Sequence, residues 1–526
     1  MSIRPASFGL TPALLALSMF ALAGGAGGQD AKPQPPSQPA TASQPPATSP
    51  SGQKAGSSSS RGNAAAPSGE TRRLPEDSVT KHTITVNGRA LAFTATAGSL
   101  RLFNESGEPQ ADIAYTAYQL DGTDPRSRPV TIFFNGGPGA SSAYLQLGCA
   151  GPWRLSIEGE GVSPSASPDP KPNAETWLDF TDLVFIDPVD TGYSRFVSTD
   201  GDVRKNFFSV DGDVNALAVT IRRYLEKADR LLSPKFIVGE SYGGIRGPKI
   251  VNELQTRQGV GINGLILISP VLDFREFGGS SLLQYVISLP SMAAIAREAR
   301  HPVTRADMAD VEAYARGDFL ADLVKGEADR EATTRLADRV SALTGIDQAV
   351  TRRLAGRLDI SEFRREFDRR DGKVTGRYDG SVLGFDPNPE SSEGHFGDPS
   401  GDALIAPLTS AAIDLAMHTL NWRPDGPYRL LNRSISWDYG RGTNPAQSIS
   451  DLRQILSLDP KLKLLIGHGL FDLATPYYGS KISLDQLPAY ASPERVKLVV
   501  YPGGHMFYSR ESSRQAFRGE AEALMR

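Results

Sequence analysis

Cysteine is almost absent: Cys149 is the only one in 526 residues. That excludes an intrachain disulfide and any multi-cysteine metal site. Histidine is scarce as well, with six residues. None stands in a His-Glu-x-x-His or other paired metal-ligand spacing, so neither a metal nor another cofactor is expected. Neither sign of charge dominates, because 56 Lys plus Arg against 60 Asp plus Glu leave a net charge of −4. The balance gives no electrostatic reason for a nucleic acid or polyanionic partner. The apolar run over residues 10–23 is too short to cross a bilayer comfortably. With Arg4 ahead of it and Ala21-Leu22-Ala23 near its end, it reads as an export signal over residues 1–28. The expectation is a periplasmic or secreted protein with no stable membrane insertion after signal removal. In such a compartment the lack of disulfides leaves stability to the core.

Residues 29–78 are dominated by Pro, Ser, Ala, Gly and Gln. Such a composition cannot bury enough apolar surface to offset its ordering entropy, and it predicts a disordered linker. Order is expected to begin near Lys81, with a hairpin turning at Asn87-Gly88. A strand at 111–120 follows. Short, β-rich apolar runs at 130–134, 183–186, 236–238, 265–268, 464–466 and 496–500 read as strands buried on both faces. Between them, Val214, Leu217, Ala218, Ile221 and Leu225 fall on one helical face, and 245–255 is a second helix. Alternating strand and helix implies a mostly parallel sheet covered on both sides. That rhythm stops after Pro270. Residues 273–428 read as a mainly helical insertion, with helices at 292–300, 305–316, 327–344 and 346–357 and a long loop over 376–402. The sheet domain is thereby divided into residues 79–272 and 429–526.

The chemistry centres on Gly239-Glu240-Ser241-Tyr242-Gly243, which follows an apolar strand and opens a helix. This is the pattern of a nucleophile elbow, in which the turn lifts Ser241 clear of the sheet at a helix N-terminus. A Cβ at either flanking glycine is expected to crowd the turn. A serine nucleophile needs a base, and the base needs a group that holds its tautomer. Asp472 stands just past the strand at 464–466, and His505 just past the strand at 496–500. The order Ser241, Asp472, His505 is that of an α/β-hydrolase. His468 precedes the acid and is ranked a packing residue, while His82, His301, His395 and His418 follow no buried strand. Cys149 has no elbow around it and reads as a structural thiol. For an oxyanion hole, the residue after the nucleophile, Tyr242, supplies one N–H. The Gly136-Gly137 turn after the strand at 130–134 allows the close backbone approach that the second requires.

Four blocks together resemble the serine carboxypeptidase family: Asn135-Gly136-Gly137-Pro138-Gly139-Ala140-Ser141-Ser142, Gly239-Glu240-Ser241-Tyr242-Gly243-Gly244, Gly469 with Asp472, and Gly503-Gly504-His505-Met506. A fifth, Leu183 to Ser194, reading Leu-Val-Phe-Ile-Asp-Pro-Val-Asp-Thr-Gly-Tyr-Ser, is similar to another family block. The strand pattern, the triad order and the helical insertion make an α/β-hydrolase fold with a cap the expectation. The resemblance, which does not reach into the insertion, implies removal of residues, one at a time, from peptides with a free C-terminus. It further implies that Asn135, Glu240 and the Gly136 N–H bind the terminal carboxylate, which leaves the N–H groups of Gly137 and Tyr242 as the expected oxyanion donors. Glu240 can donate to a carboxylate only when protonated, and burial beside a like charge raises its pKa. The sequence departs from the family at Ala140, where eukaryotic members carry a cysteine. It departs again at Cys149, the ungapped position of a second acid that pairs with the glutamate.

Two other functions compete. An esterase or acyltransferase keeps the triad and oxyanion hole without a carboxylate site, and a non-catalytic binding protein needs a broken site, which is not seen. The elbow yields a direct test. Ser241→Ala is expected to abolish peptide and ester hydrolysis, together with covalent labelling by a fluorophosphonate, while thermal unfolding stays near wild type. Labelling that persists on another serine would refute the assignment.

Overall fold

The computed structural model describes residues 73–86, 88–157, 163–277, 281–391, 397–440 and 446–526. The expected export signal, residues 29–72 of the expected linker and His395 lie outside these residues, as does Asn87 of the expected turn. The hairpin pairs β1 (Ser78–Val86) antiparallel with β2 (Arg89–Phe103), with Val86 opposite Arg89. Gly88 takes a φ of +76°, a conformation that a glycine adopts without steric cost. Order starts earlier than the linker composition predicts. Leu74 is buried in the core, and Asp77 accepts a hydrogen bond from the Tyr115 hydroxyl at 2.7 Å. Residues 73–78 therefore belong to the folded part rather than to the linker.

The next strands are β3 (Pro109–Leu120), β4 (Val130–Phe134) and β5 (Asp182–Ile186). Helix α1 (Val210–Lys227) begins where Ser209 Oγ accepts from the Gly212 N–H at 3.2 Å, a side-chain N-cap. Its apolar stripe, Leu217, Ile221 and Leu225, packs on the sheet. After it come β6 (Lys235–Glu240), α2 (Gly243–Thr256) and β7 (Gly264–Ile268). The chain then leaves the sheet for a long excursion and returns through β8 (Lys463–Gly469) and β9 (Val496–Tyr501).

The strand order is β1-β2-β3-β5-β4-β6-β7-β8-β9, with the short strand Arg195–Phe196 pairing beside β3. From β5 to β9 in that order every pairing is parallel, while β1, β2 and β3 form an antiparallel flank. The order reverses at β4, with β5 on one side and β6 on the other. Beyond the carboxyl ends of strands at such a switch point a crevice opens, and Asn135 and Ser241 stand there. Alternate residues feed opposite cores: Leu265 and Leu267 pack with α1 and α2, and Ile266 and Ile268 on the other face. The strand at 496–500 was expected to be buried on both faces. Instead β9 is an edge strand, and its residues are only partly covered.

Helices dominate the excursion, but their bounds differ from the sequence pattern. Helix α3 (Leu283–Glu298) starts well before residue 292 and contains Pro290. Proline disfavours a helix interior, yet residues 286–296 are buried throughout, and that packing outweighs local propensity. The expected helix at 305–316 is broken into short pieces up to Lys325, with non-helical backbone at Gly317. Helix α4 (Arg330–Thr344) is capped by Asp329 and stopped by Gly345. The helix expected over 346–357 spans only Gln348–Arg353, because Ala355 and Gly356 take left-handed φ values. Inside the expected loop, Leu383–Phe385 pairs with Lys373–Thr375. Helix α5 (Ile405–Asp414) packs on the sheet core through Leu408 and Ala411. Leu336, Val340 and Phe363 share a third core with Leu470, Phe471 and Leu473, just past β8. The excursion is thereby packed against the carboxyl ends of the strands. No helix of the described residues is long and apolar enough to cross a membrane.

One buried ionic knot fixes the opposite end of the sheet. Asp182 accepts from Arg128 Nε at 2.7 Å, Arg230 Nη1 at 2.5 Å and the Leu120 N–H at 3.0 Å. Arg230 is 0% exposed, so Asp182→Ala strands a guanidinium in the core and is expected to cost about 3–5 kcal/mol. The exposed Lys81–Asp121 pair, broken by Lys81→Ala, should cost under about 1 kcal/mol. Urea unfolding of the two variants checks the contrast.

Candidate active site

Ser241 follows β6 and precedes α2, and its φ is +60°. Its N–H donates to the Ile268 carbonyl at 2.9 Å, and its carbonyl accepts from Gly244 at 2.9 Å and Val271 at 3.1 Å. Sterics around the elbow fall differently from the expectation. A Cβ on Gly239 would lie 2.9 Å from the Gly243 carbonyl oxygen and 2.9 Å from the Phe134 ring. One on Gly243 would find its nearest neighbour at 3.8 Å, an ordinary contact. The second crowded position is Gly244, whose Cβ would lie 2.3 Å from the Val271 carbonyl oxygen. The turn is tight because α2 runs directly against residues 270–271.

His505 Nδ1 stands 2.8 Å from Asp472 Oδ2. The pairing assigns the Nδ1 proton and leaves Nε2 for a nucleophile. Asp472 is 0% exposed. Its Oδ1 accepts the N–H groups of Ala474 and Thr475 at 2.7 and 3.0 Å, and its Oδ2 meets Thr475 Oγ1 at 2.8 Å. Burial disfavours the imidazolium of His505, but the opposing influences, led by the charge and the hydrogen bond of Asp472, together outweigh it and hold the pKa above the usual histidine value. His468 is buried nearby with Nε2 2.8 Å from Ser480 Oγ. Burial pushes its pKa down to about 3, so it stays neutral.

Glu240, beside Ser241 in sequence, is buried. Asn135 Nδ2 and the Tyr508 hydroxyl each donate to its Oε2 at 2.9 Å. Burial raises its pKa to about 7, against the lowering effects of His505, Tyr508 and Asn135. Cys149 is buried, and burial pushes its thiol well above the usual range. Asn135 itself is pinned: the Leu145 N–H donates to its Oδ1 at 3.1 Å, and Arg246 donates to its carbonyl oxygen. Arg246 in turn binds Asp213 through Nε at 2.6 Å and Nη2 at 3.1 Å. This fully buried, two-point pair ties α2 and α1 to the asparagine loop.

Ser241, His505, Glu240 and Gly137 share one cavity, walled by Tyr144, Tyr378, Met506 and Arg433. Gly136 presses on the elbow from behind, since a Cβ there would lie 2.4 Å from the Tyr242 nitrogen. Gly137 takes a φ of +98° that requires glycine. Tyr242 offers the site only its backbone, because its ring is buried against Trp437 and the Arg246 guanidinium. The structure thus gathers Asn135, Gly136, Gly137, Glu240, Ser241, Tyr242, Asp472 and His505 at one end of the sheet. Sequence reasoning missed Tyr508, Thr475, Asp213 and Arg246. For the last two a signal existed: a charge on an apolar helix face needs a buried partner. Tyr508 reads in sequence as one more aromatic core residue.

Comparison with known proteins follows this geometry. A family profile described as "Serine carboxypeptidase" matches residues 102–501. "Pheromone-processing carboxypeptidase KEX1" of Debaryomyces hansenii is 32% identical over 181 residues, which cover 33% of this chain and 23% of that protein. "Serine carboxypeptidase-like 33" of Arabidopsis thaliana is 25% identical over 196 residues, 35% of this chain and 38% of that protein. The matches therefore span well under half the length of these curated relatives. The crystal structure of Kex1(delta)p, a prohormone-processing carboxypeptidase from Saccharomyces cerevisiae, superposes with a TM-score of 0.52 at 16% identity. It covers 82% of this chain and 91% of its own, a likeness of fold.

The elbow sterics separate two neighbouring glycines. Gly244→Ala forces a methyl into the Val271 backbone and is expected to destabilise by about 1–3 kcal/mol and to slow fluorophosphonate labelling. Gly243→Ala should change both far less. Equal losses in a denaturation and labelling comparison would contradict the packing described.

Proposed function

The chain belongs to the serine carboxypeptidase family, and from that premise we propose that it is an exported enzyme releasing amino acids from the free C-terminus of peptides. One observation carries the choice over an esterase. Glu240 is a buried carboxyl beside the nucleophile, and it keeps its proton up to about pH 7. A protonated acid held by Asn135 and Tyr508 suits a substrate that ends in a carboxylate; an ester or amide has no use for it.

In this reading Ser241 Oγ attacks the scissile carbonyl carbon while its proton passes to His505 Nε2. The N–H groups of Gly137 and Tyr242 hold the oxyanion, with Asp472 stabilising the imidazolium. The C–N bond breaks as His505 returns the proton to the leaving amine. Water then adds to the acyl-enzyme with His505 again as base, and Ser241 is regenerated. Asn135, Glu240 and the Gly136 N–H fix the terminal carboxylate, so only one residue fits beyond the scissile bond. Residues 1–28 act as the export signal and 29–72 as a linker to a periplasmic or secreted enzyme. Mass spectrometry of a peptide library against its C-terminally amidated counterpart tests the reading: trimming of the free acids alone is expected, and equal trimming of both would overturn it.

The Glu240 proton sets a pH limit whose sign follows. Below about 7 the neutral acid donates to the substrate carboxylate; above it the ionised form repels that carboxylate. For free-acid peptides kcat/KM should fall as pH rises through about 7. Glu240→Gln retains a donor and is expected to lose that alkaline limb. Ester and amidated substrates should show no such limb in either protein. A limb common to both substrate types, untouched by the substitution, would remove Glu240 from the carboxylate site.

A further inference from the structure

Two residues outside the triad close a ring of hydrogen bonds around its acid and base. Thr475 Oγ1 lies 2.8 Å from Asp472 Oδ2, 2.8 Å from the Ser269 carbonyl oxygen and 3.1 Å from His505 Nδ1. Ser269 Oγ donates to the His505 carbonyl oxygen at 2.7 Å. The circuit runs from His505 to Asp472, Thr475, Ser269 and back to His505. It ties together three chain segments that leave neighbouring strands, namely β7, β8 and β9. Thr475 is 6% exposed and Ser269 is 0% exposed, so water does not compete for these bonds.

The same turn grips the nucleophile. The residue before Ser269, Ile268, accepts the Ser241 N–H, and Val271 donates to the Ser241 carbonyl. Ser269, between them, has a φ of +43°, the left-handed region that side-chain-bearing residues enter rarely. Residues 268–271 therefore hold the backbone of the nucleophile with one set of bonds and the backbone of the base with another. Thr475 completes the link through its side chain. A hydroxyl has one hydrogen to give and two lone pairs. Thr475 Oγ1 donates to one of its two 2.8 Å acceptors at a time and can accept from the Nδ1–H of His505. It can thus serve the carboxylate and the imidazole without leaving its place.

Resting on the triad reading above, we infer that Thr475 and Ser269 are positioning residues that keep His505 in register with Ser241. Neither faces substrate in this arrangement. Their contribution lies in the chemical step, where a small error in the Ser–His geometry is costly, and leaves substrate binding alone.

Steady-state kinetics of the full chain, with a blocked dipeptide bearing a free C-terminus and with its ester analogue, test the inference. Thr475→Val should lower kcat about tenfold or more on both substrates, with KM within about twofold of wild type. Thr475→Ser, which restores the hydroxyl, should recover kcat to within about threefold. Ser269→Ala should lower kcat comparably. The double variant should be little slower than the slower single one, because both cut one ring and coupled sites are non-additive. Wild-type kcat in Thr475→Val, a loss in Thr475→Ser equal to that in Thr475→Val, a change confined to KM, or multiplicative losses in the double variant would each overturn it. If Thr475→Val does not fold, Thr475→Ala takes its place with the same criteria. Wild-type controls separate the two readings. Turnover of the ester but not the peptide would refute the peptidase assignment and leave the ring standing. A wild type inert to fluorophosphonate would refute both.

Discussion

A serine held at a φ of +60° occupies a conformation that costs about 1–3 kcal/mol and persists only where the surroundings over-determine it. Here the constraint comes from the neighbouring strand. Both the N–H and the carbonyl of Ser241 are bonded to residues that flank Ser269 at the end of β7, and Ser269 is itself at a φ of +43°. Two strained residues stand side by side at the ends of paired parallel strands, Ser241 held by the turn around Ser269 and Ser269 by Gly467, Thr475 and His505. The register of β6 with β7, Glu240 opposite Ile268, sets where Ser241 projects. The register of β7 with β8 and of β8 with β9 sets where Asp472 and His505 emerge. The geometry of the site is in this sense a property of strand pairing, with the side-chain bonds as fine adjustment.

Electrostatics at the site turn on burial. Glu240 has three influences that favour its charged form, from His505, Tyr508 and Asn135, and desolvation outweighs them to leave the carboxyl near neutrality. Cys149 supplies no charge, since its thiol is kept protonated by burial. The proton on Glu240 is therefore not divided between two acids. The Tyr508 phenol can donate to Oε2 of the neutral or the ionised carboxyl, which leaves Oε1 to carry the proton, and it adds no like charge to raise the pKa further. The pKa of His505, a few residues from Tyr508, is raised as well, against its burial and chiefly by Asp472. One end of the cavity is thus biased toward a neutral acid and the other toward a stabilised imidazolium.

The elements that carry the site were readable because each has a strong local signature: continuous β-rich runs, a glycine-bounded serine, an Asn-Gly turn. Leu265 to Ile268 reads as a buried strand, and Ser241 between an apolar strand and a helix, with Gly239 and Gly243 around it, reads as a tight turn. What escaped the sequence was what tertiary packing decides. The helix through Pro290 violates local preference, and only the burial of residues 286–296 explains it. The Gly243 and Gly244 roles interchange because the neighbour that fixes them, the Val271 carbonyl, is 27 residues away in the chain. Thr475 and Tyr508 are ordinary residue types whose function lies in a hydroxyl position, and no spacing rule predicts that. The edge position of β9 depends on strand order, which hydropathy does not encode.

Buried ion pairs do much of this positioning, and their energetics explain why. Asp213 with Arg246, and Asp182 with Arg230, are almost wholly withdrawn from water. Desolvation offsets most of their attraction, so well-packed apolar residues could give comparable stability. Apolar packing could not give direction. The Arg246 guanidinium is planar, and with two bonds committed to Asp213 its remaining Nη1 can point only at the Asn135 carbonyl. A leucine in its place would fill the volume and leave the asparagine loop free to shift against α2. In a chain without disulfides, the registration of loop to helix falls to such directional contacts, and the apolar layers on both faces of the sheet supply the stability that allows them to be buried.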